Sequence, residues 1–321
     1  MHEDETVLDK IDLKIINSLI GDCRSPYRNI AERVGITPNA VKTRVNKMIS
    51  KGIIQNFVVR INPVIFGYEK ECILTVRQYY KSMKEEQDIV EKLNLLGDVY
   101  VYAKQLGGDS IFVLAIKPGA EDKIGLMIDL LKPAIVDSKF VDYKPTSMSI
   151  TNSDFKIIKC LLSNARMEIA DIAKDASISS KTVARRIDKL REGRILEFSI
   201  LRDMSSMQLV GFIEFAVVIH INKSFHQYVL KRIYRELQEH LVFTPNENQS
   251  EVIFAVFFCA NIPTVDSILT RIKSYDGVDH VGLFITTKLV YYHEWLKKEI
   301  DKSLKSKEAT TARKSQILRK L

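Results

Sequence analysis

Residues 28–54 read RNIAERVGITPNAVKTRVNKMISKGII, and the interpretation of the whole chain starts from this stretch. It predicts a short helix, a sharp turn at Gly35, and a second helix that begins with Thr37 and Pro38. Threonine is a good N-cap, and proline suits the first helical position because its missing N–H would have no intrahelical partner there. The stretch therefore has the layout of a helix-turn-helix.

The second of these helices has two chemically different faces. Val41, Val45 and Met48 recur at helical spacing and are predicted to pack against the preceding helix. The residues that point away from this core are Asn39, Lys42, Thr43, Asn46 and Lys47. Amide and ammonium groups can hydrogen-bond to base edges, so this face predicts a helix that enters a DNA major groove, with Thr37 and Pro38 at its leading end. The alternative is an ordinary solvated helix face.

Three arginines near this motif have different predicted roles. Arg28 and Arg33 are candidates for phosphate contacts, which position a protein on DNA without specifying a sequence. Arg44 lies at the edge of the packed face and is predicted to be structural, bonded to a carboxylate. On the N-terminal side, the apolar spacing from Leu8 to Ile20 predicts the first helix of a three-helix unit, and Ser25 is the expected N-cap of the second.

Composition limits the classes of protein that this chain can belong to. It has 321 residues, 46% of them apolar and 27% charged, and a net charge of +8, which together predict a multidomain globular protein with an anionic partner such as nucleic acid. The start, MHEDETVLDK, lacks the apolar core of a signal peptide, and the longest apolar run, Val252 to Ala260, is too short to cross a bilayer. We therefore expect a cytoplasmic protein without a membrane partner.

No metal or cofactor is expected from the sequence. The cysteines Cys23, Cys72, Cys160 and Cys259 are far apart and form no CxxC pair. The histidines of the second half also lack metal-ligand spacing; they are His220, His226, His240, His280 and His293. Free thiols and packed or surface histidines are the expected state of these residues.

The helix-turn-helix segment occurs twice. Adding 142 to a residue number in the first copy gives its counterpart without a gap, as Asp12 becomes Asp154 and Arg44 becomes Arg186. The apolar register is retained as well, which predicts a duplication. The outward face of the second copy is again rich in positive charge, with candidate DNA contacts at Ser179, Ser180, Lys181, Arg185 and Lys189.

The two copies differ at positions that matter for capping and for recognition. Ser177 replaces Gly35 at a position that favours positive φ, and Asp188 replaces Asn46. Met167 and Glu168 stand where the first copy has Ser25 and Pro26, which predicts weaker capping. The second copy either contacts DNA or has a structural or protein-binding role.

The segments after each copy predict ferredoxin-like βαββαβ units. In the first unit, the expected strands are Cys72–Tyr79, Val99–Gln105, Ile111–Ile116 and Val136–Val141, and the helices are Glu85–Leu95 and Glu121–Leu131. The second unit is predicted from strands at Phe212–Asn222, Val252–Cys259 and Val281–Lys288, helices at Phe225–Leu237 and Ile262–Ser274, and a weak strand around Leu241–Thr244. A helix at Tyr291–Leu304 and a basic tail follow, and the tail is either a phosphate-binding arm or a solubilising end.

The fold class is therefore α+β, with a winged-type helix-turn-helix and a ferredoxin-like domain duplicated in one chain. The predicted domains are residues 1–62, 63–145, 146–203 and 204–290, followed by a helical, basic C-terminal tail at 291–321. Between the two middle strands of the first ferredoxin-like unit, Gly107-Gly108-Asp109 predicts a tight hairpin turn. In the second unit the matching stretch, Asn246 to Glu251, contains no glycine.

The pattern LDKIDLKIINSL, IAERVGIT, AVKTRVNKM and GII, followed by a βαββαβ unit with a glycine in its middle turn, resembles the leucine-responsive and asparagine-operon regulator (Lrp/AsnC) family. The resemblance covers residues 8 to 143, with a looser copy at 150 to 290. It implies a DNA-binding transcriptional regulator whose sheet domains dimerise. Most members carry one copy of each unit, so the tandem chain is expected to form an internal pseudo-dimer, and association into a homodimer is a second expectation.

The resemblance also implies a small effector, often an amino acid, near the middle-strand turn. The candidate effector residues here are Gly107, Gly108, Asp109 and Ser110. The family usually has an aromatic residue and an aspartate after the glycine, whereas this chain has Asp109 and Ser110. A tight hairpin needs glycine with or without a ligand, so both interpretations stay open.

The function predicted from the sequence is sequence-specific regulation of transcription through double-stranded DNA, without catalysis. One alternative is an enzyme that resembles the haem-pathway decarboxylases acting on sirohaem, which have a similar build and occur as pairs of unlike copies. Another is an effector-sensing or protein-binding module.

Overall fold

The computed structural model describes residues 8–77, 83–132, 134–143, 145–242 and 251–318, with side chains described outside 83–84 and 307–318. The chain divides into two units. Unit one comprises Met1–Asn56, Lys104–Gly107 and Ile200–Leu289, and unit two comprises Phe57–Ala103, Gly108–Ser199 and Val290–Leu321. Unit one thus combines the first helix-turn-helix with the second sheet domain. Unit two combines the second helix-turn-helix with the first sheet domain. The four domain boundaries drawn from the sequence stay a prediction.

The first helix-turn-helix has the predicted three helices. They are α1 (Lys10–Gly21), α2 (Tyr27–Val34) and α3 (Pro38–Ser50), and strand β1 (Ile54–Ile61) follows. Gly35 adopts the left-handed conformation (φ 76°), and Thr37 caps α3. The expected cap at Ser25 is wrong: Pro26 occupies the N-cap position with an extended ψ of 138°, so α2 begins at Tyr27 without a side-chain cap.

The first sheet domain lies in unit two and follows the predicted βαββαβ order. Its elements are β2 (Lys70–Arg77), α4 (Met83–Leu93), β3 (Asp98–Gln105), β4 (Asp109–Ile116), α5 (Ile124–Leu130) and β5 (Ile135–Asp142). The strand order is β5-β2-β4-β3, with β2 antiparallel to both neighbours. Leu93 of α4 and Met127 of α5 pack with Leu74 and Phe112 in one core, so both helices cover the same face of the sheet. The end of the strand predicted at Cys72–Tyr79 lies outside the described residues.

The second helix-turn-helix repeats the first at the predicted offset. Its helices are α6 (Asn152–Ser163), α7 (Ile169–Ala176) and α8 (Ser180–Glu192), and strand β6 (Leu196–Arg202) follows. β1 and β6 form a two-stranded sheet. Ser177 adopts the left-handed conformation that glycine has in the first copy (φ 57°), and Glu168 stands at the N-cap of α7 without a side-chain cap, as expected.

The second sheet domain lies in unit one. Its elements are α9 (Met204–Leu209), β7 (Ile213–Ile221), α10 (His226–Glu236), β8 (Val252–Cys259), α11 (Ile262–Lys273) and β9 (Val278–Tyr291). The strand order is β9-β7-β8. Leu241 makes an isolated antiparallel bridge with Phe257, and the Val242 N–H donates to Val256 O (2.8 Å). The rest of the weak strand expected at Leu241–Thr244, and most of the stretch from Asn246 to Glu251, lies outside the described residues.

The last helix, α12 (Glu294–Leu318), differs from the predicted Tyr291–Leu304. It begins later because β9 extends to Tyr291, and it continues through part of the sequence that was interpreted as a tail. Lys297, Lys298, Lys302 and Lys305 lie on this helix and are exposed, whereas Arg319 and Lys320 lie outside the described residues. No helix in the described part of the chain is long and apolar enough to span a membrane.

The left-handed turn in each helix-turn-helix gives a reciprocal prediction about stability. A Cβ at Gly35 would meet nothing within 4 Å, so Gly35→Ser adds only backbone strain. We expect Gly35→Ser to destabilise the first copy and Ser177→Gly to stabilise the second, each by ~1 kcal/mol, because a left-handed residue other than glycine costs ~1–2 kcal/mol. Differential scanning calorimetry measures both shifts, and a lower Tm for Ser177→Gly would contradict this interpretation.

Candidate nucleic-acid interface

The helix α3 presents the face that the sequence predicted. Thr37 Oγ1 accepts a hydrogen bond from the Ala40 N–H (3.2 Å), and Val41, Val45 and Met48 are fully buried. The outward set is exposed throughout: Thr37, Pro38, Asn39, Lys42, Thr43, Asn46 and Lys47. Two amides, two hydroxyls and two ammonium groups therefore stand on one accessible helical surface. Their contacts with DNA stay a prediction.

Arg44 holds α3 against α1. Its Nη1 lies 2.7 Å from Asp9 Oδ2 and 2.8 Å from Asp12 Oδ1, which confirms the predicted bond to a carboxylate. Hydrogen bonding to Asp12 raises the pKa of Arg44. Partial burial raises the pKa of Asp9, but the Asp12 backbone N–H and the Arg44 guanidinium outweigh that effect, so its pKa lies below the ordinary value. Asp9 and Asp12 also form the capping box of α1, so the same carboxylates begin one helix and fix another.

The second copy contains the corresponding arginine–aspartate ion pair, and this pair is more deeply buried. Arg186 of α8 forms a bidentate pair with Asp154 of α6, and the Asp154 side chain is 0% exposed, compared with 12% for Asp12. Hydrogen bonding to Asp154 raises the pKa of Arg186. Asp154 also completes a capping box with Thr151. The orientation of α8 therefore depends on one buried ion pair.

The outward face of α8 is accessible but differs in charge from that of α3. Its exposed candidates are Ser179, Ser180, Lys181, Arg185 and Lys189. Asp188 is exposed among them, so three positive charges share this face with one negative charge. Ser179 has a structural role as well, because its Oγ accepts from the Thr182 N–H (3.2 Å) and caps α8.

The candidates for phosphate contacts in the first copy are also on the surface. Arg28 forms an exposed ion pair with Glu32 (3.2 Å), in which the two side chains are 82% and 65% exposed. An ion pair that open to solvent contributes little to stability, so Arg28 can exchange Glu32 for another anion at low cost. Arg33 is exposed at the end of α2.

The candidate effector turn has the backbone that its glycines predict. Gly107 and Gly108 have φ values of 96° and 103°, a region that favours glycine. In unit two, Asp109 Oδ2 approaches Arg77 Nε at 3.6 Å, and Ser110 is fully buried. The turn geometry thus accounts for the glycines, and an effector role for these four residues stays a prediction.

Unit one also contains a cationic cluster that the sequence analysis missed. Arg232 and Arg235 of α10 and Arg271 of α11 all contact Glu236, and hydrogen bonds from Arg235 and Arg232 lower the pKa of Glu236 to about 2. The arginines of α10 were visible in the sequence as a basic run. Arg271 joins them only through the packing of α11 beside α10, which local spacing does not reveal.

One histidine pair was missed for a related reason. His220 and His280 face each other across β7 and β9, with ring centroids 5.8 Å apart. They are far apart in sequence, and only the strand register makes them neighbours. Over the residues that the structure describes, no group of three or more histidine, cysteine, aspartate or glutamate side chains is arranged to hold a metal ion.

Both helix-turn-helix segments match known families. Residues 8–55 match the family described as winged helix-turn-helix DNA-binding, and residues 150–191 match the AsnC-type helix-turn-helix domain. An uncharacterised HTH-type transcriptional regulator of Pyrococcus furiosus is 31% identical over 147 residues, covering 46% of this chain and 93% of the relative. The regulatory protein AsnC of Haemophilus influenzae is 32% identical over 106 residues, covering 33% of this chain and 69% of the relative.

The chain belongs to the AsnC/Lrp family of transcriptional regulators. The fold class predicted from the sequence is confirmed, as is the predicted function of a DNA-binding transcriptional regulator. Because a nearly complete relative matches less than half of this AsnC/Lrp chain, the alignment agrees with the internal duplication.

Solved structures were compared with this AsnC/Lrp chain as well. The siroheme decarboxylase NirDL has a TM-score of 0.49 and 15% sequence identity, covering 95% of this chain and 100% of that chain. AsnC of Escherichia coli has a TM-score of 0.30 and 22% identity, covering 45% of this chain and 97% of that chain.

The two arginine–carboxylate pairs of this AsnC/Lrp chain predict unequal effects of the same substitution. Arg186→Ala leaves the fully buried Asp154 without its cation, and removing one partner of a buried pair costs ~3–5 kcal/mol. Arg44→Ala should cost only ~1–2 kcal/mol, because Asp9 and Asp12 keep partial access to water. Chemical denaturation monitored by hydrogen exchange in each helix-turn-helix measures the two losses.

The matched control is Arg185→Ala, which removes an exposed arginine next to Arg186. We expect its effect to stay within ~0.5 kcal/mol, as for most surface substitutions. Equal losses for Arg185→Ala and Arg186→Ala would contradict a structural role for the buried pair.

Proposed function

We propose that this regulator reads duplex DNA by placing α3 in the major groove. The observation that carries the proposal is the exposed, polar and cationic face of α3 on a helix that Arg44 fixes from behind. Asn39 and Asn46 can pair with the two major-groove hydrogen-bonding positions of adenine, and Lys42 and Lys47 can reach guanine or phosphate. Because Val41, Val45 and Met48 supply the packing of α3, substitutions on its outward face can change DNA contacts without unfolding the helix.

The phosphate backbone is proposed to add affinity without sequence preference. Arg28 and Arg33 lie on α2, and the whole chain carries a net charge of +8. Lysine and arginine contacts with phosphates release bound counterions, so binding should weaken as salt rises.

We further propose that α8 reads a second, unlike half-site, so that one chain acts as an internal pseudo-dimer. This rests on the shared helix positions of the two copies and on their different outward residues, with Asp188 where the first copy has Asn46. Unlike readers favour two different half-sites about one turn of DNA, or a multiple, apart. Further association into a homodimer is proposed by analogy with the family.

A small effector such as an amino acid is proposed near Gly107, Gly108, Asp109 and Ser110. Gly107 is exposed in this turn, while the burial of Ser110 leaves Asp109 as the better contact. We propose no catalytic role, because the relatives of this chain are named as regulators.

Recognition by α3 is tested with Asn46→Ala and Lys42→Ala. Loss of a good base contact costs ~1–3 kcal/mol, so Asn46→Ala should reduce the preference for the selected operator by about 5- to 150-fold. Lys42→Ala should weaken binding and, if it contacts phosphate, lower the salt slope by ~1. Fluorescence anisotropy at several salt concentrations measures both effects.

Lys139→Ala is the charge-matched control, since Lys139 is exposed on β5, outside both helix-turn-helix segments. The affinity of the Lys139→Ala variant for DNA, and the dependence of that affinity on salt concentration, should stay near those of the parent chain. An unaltered sequence preference in Asn46→Ala combined with Lys42→Ala would count against α3 as the reader.

Division of labour between the two copies is tested by footprinting. Replacement of Lys181, Arg185 and Lys189 by Gln removes three outward cations of α8 while leaving its cap and the Arg186 pair intact. We expect protection from DNase I cleavage to disappear at one half-site and to persist at the other. Equal loss at both half-sites, or no loss at all, would contradict the assignment of one half-site to each copy.

The enzymatic alternative is tested directly with sirohaem. We expect no saturable change in the Soret absorption of sirohaem when the full chain is added, with serum albumin as a control for nonspecific uptake. Stoichiometric binding followed by loss of carboxylate groups, detected by mass spectrometry, would instead establish the enzyme.

A further inference from the structure

Unit two contains a cavity of about 550 Å³, and none of the outward residues of α8 lines it. Three parts of the chain build it: the turn at residues 64–66 after β1, the extended segment 146–150 with Phe155 of α6, and one face of α12. Its volume is within the ~300–1,000 Å³ typical of small-molecule sites. The space is therefore large enough for a metabolite of modest size.

One wall of the cavity is apolar and aromatic. Phe66 and Phe155 stack with ring centroids 5.9 Å apart. In the extended segment, Thr146, Met148 and Ile150 are partly buried and line the cavity, while the intervening serines are exposed. Because side chains alternate along an extended backbone, every second residue of this segment faces the cavity.

The opposite wall is polar and carries an incompletely neutralised cation. Glu299, Lys302 and Ser303 lie along α12 and line the cavity. Glu299 accepts from Lys117 Nζ at 3.0 Å and is therefore already paired, whereas the Lys302 ammonium only approaches Glu299 at 4.0 Å. Within the described residues, Lys302 thus retains positive charge at the mouth of an apolar space.

We propose that this cavity binds a small organic carboxylate with an aromatic or branched apolar body. The carboxylate would contact Lys302 Nζ and the Ser303 hydroxyl, and the body would lie against Phe66, Phe155 and Ile150. None of the residues proposed to read DNA, and none of residues 107–110, lines this cavity, so the proposal goes beyond the function proposed above.

Occupancy of the cavity would act on the second helix-turn-helix. Phe155 belongs to α6, and Lys159 of the same helix is paired with Asp301 of α12 (2.8 Å). A molecule held between α6, the 64–66 turn and α12 would add contacts to all three. Slower hydrogen exchange of the backbone amides in α6 is the expected consequence.

The chain contains a built-in reporter for this site. Trp295 is its single tryptophan, and the ring lies edge-on to Tyr68 (centroids 5.3 Å apart) and Phe66 (6.4 Å). A ligand that contacts Phe66 on its cavity side should change the surroundings of the indole. Tryptophan emission of the full chain therefore reports on binding without a label.

The test uses the full chain titrated with sodium 3-phenylpropionate, with 3-phenylpropan-1-ol and acetate as probes that lack the carboxylate or the apolar body. We expect a saturable change in Trp295 emission with 3-phenylpropionate and at least tenfold weaker responses to the other two. Isothermal titration calorimetry should give the same affinity, and hydrogen exchange should slow in α6.

Two variants and one control decide the location. Lys302→Gln should weaken binding about tenfold or more, and Ser303→Phe, which fills the cavity, should abolish it. Lys298→Gln removes an exposed lysine of α12 that does not line the cavity and should bind as the parent chain does. Absence of saturable binding by the parent chain, or binding by Lys302→Gln and Ser303→Phe as tight as that of the parent chain, would overturn the proposal.

Discussion

The pairing of a first-helix aspartate with a third-helix arginine is the constraint on which each helix-turn-helix depends. Asp12 holds Arg44, and Asp154 holds Arg186, at positions related by the same 142-residue offset. A carboxylate that has lost most of its water must be paired, so the arginine has one low-energy position and the helix that carries it has one orientation. Each aspartate also belongs to a capping box, so helix initiation and helix orientation depend on the same group.

This arrangement separates the residues that specify the fold from those that are free to specify a ligand. The valines and aliphatic residues on the inner face of α3 and α8 are buried in both copies, while the outward residues differ. Divergence after duplication is therefore concentrated on the surface. Ser177 is a partial exception, because the turn requires a left-handed residue and serine adopts that conformation at an energetic cost.

Local features were predictable because they depend on residues close together in sequence. The N-cap at Thr37, the turn at Gly35 and the apolar period of α3 each have a short-range physical cause, and the structure agrees with all three. The cap at Ser25 was wrong because Pro26 sets an extended ψ just before the helix. The recognition face was also predictable in position, since helical spacing determines which side chains oppose the core.

Long-range features were not predictable from one sequence. Which helix-turn-helix shares a unit with which sheet domain depends on tertiary packing, as does the meeting of Arg271 with the arginines of α10. The same limit applies to the cavity beside α12, whose walls come from three segments that are far apart in sequence. Trp295 anchors α12 among Phe66, Tyr68 and Tyr100, and nothing in its local sequence indicated those partners.

The central claim is that α3 and α8 enter the major groove. Dimethyl sulfate methylation of a bound operator, chosen from random DNA by the full chain, tests it most directly because guanine N7 faces that groove and adenine N3 faces the minor groove. The account predicts protection of guanine N7 in two clusters about one helical turn or a multiple apart, with adenine N3 between them still reactive. Full reactivity of guanine N7 in a complex shown by anisotropy to be saturated would contradict it.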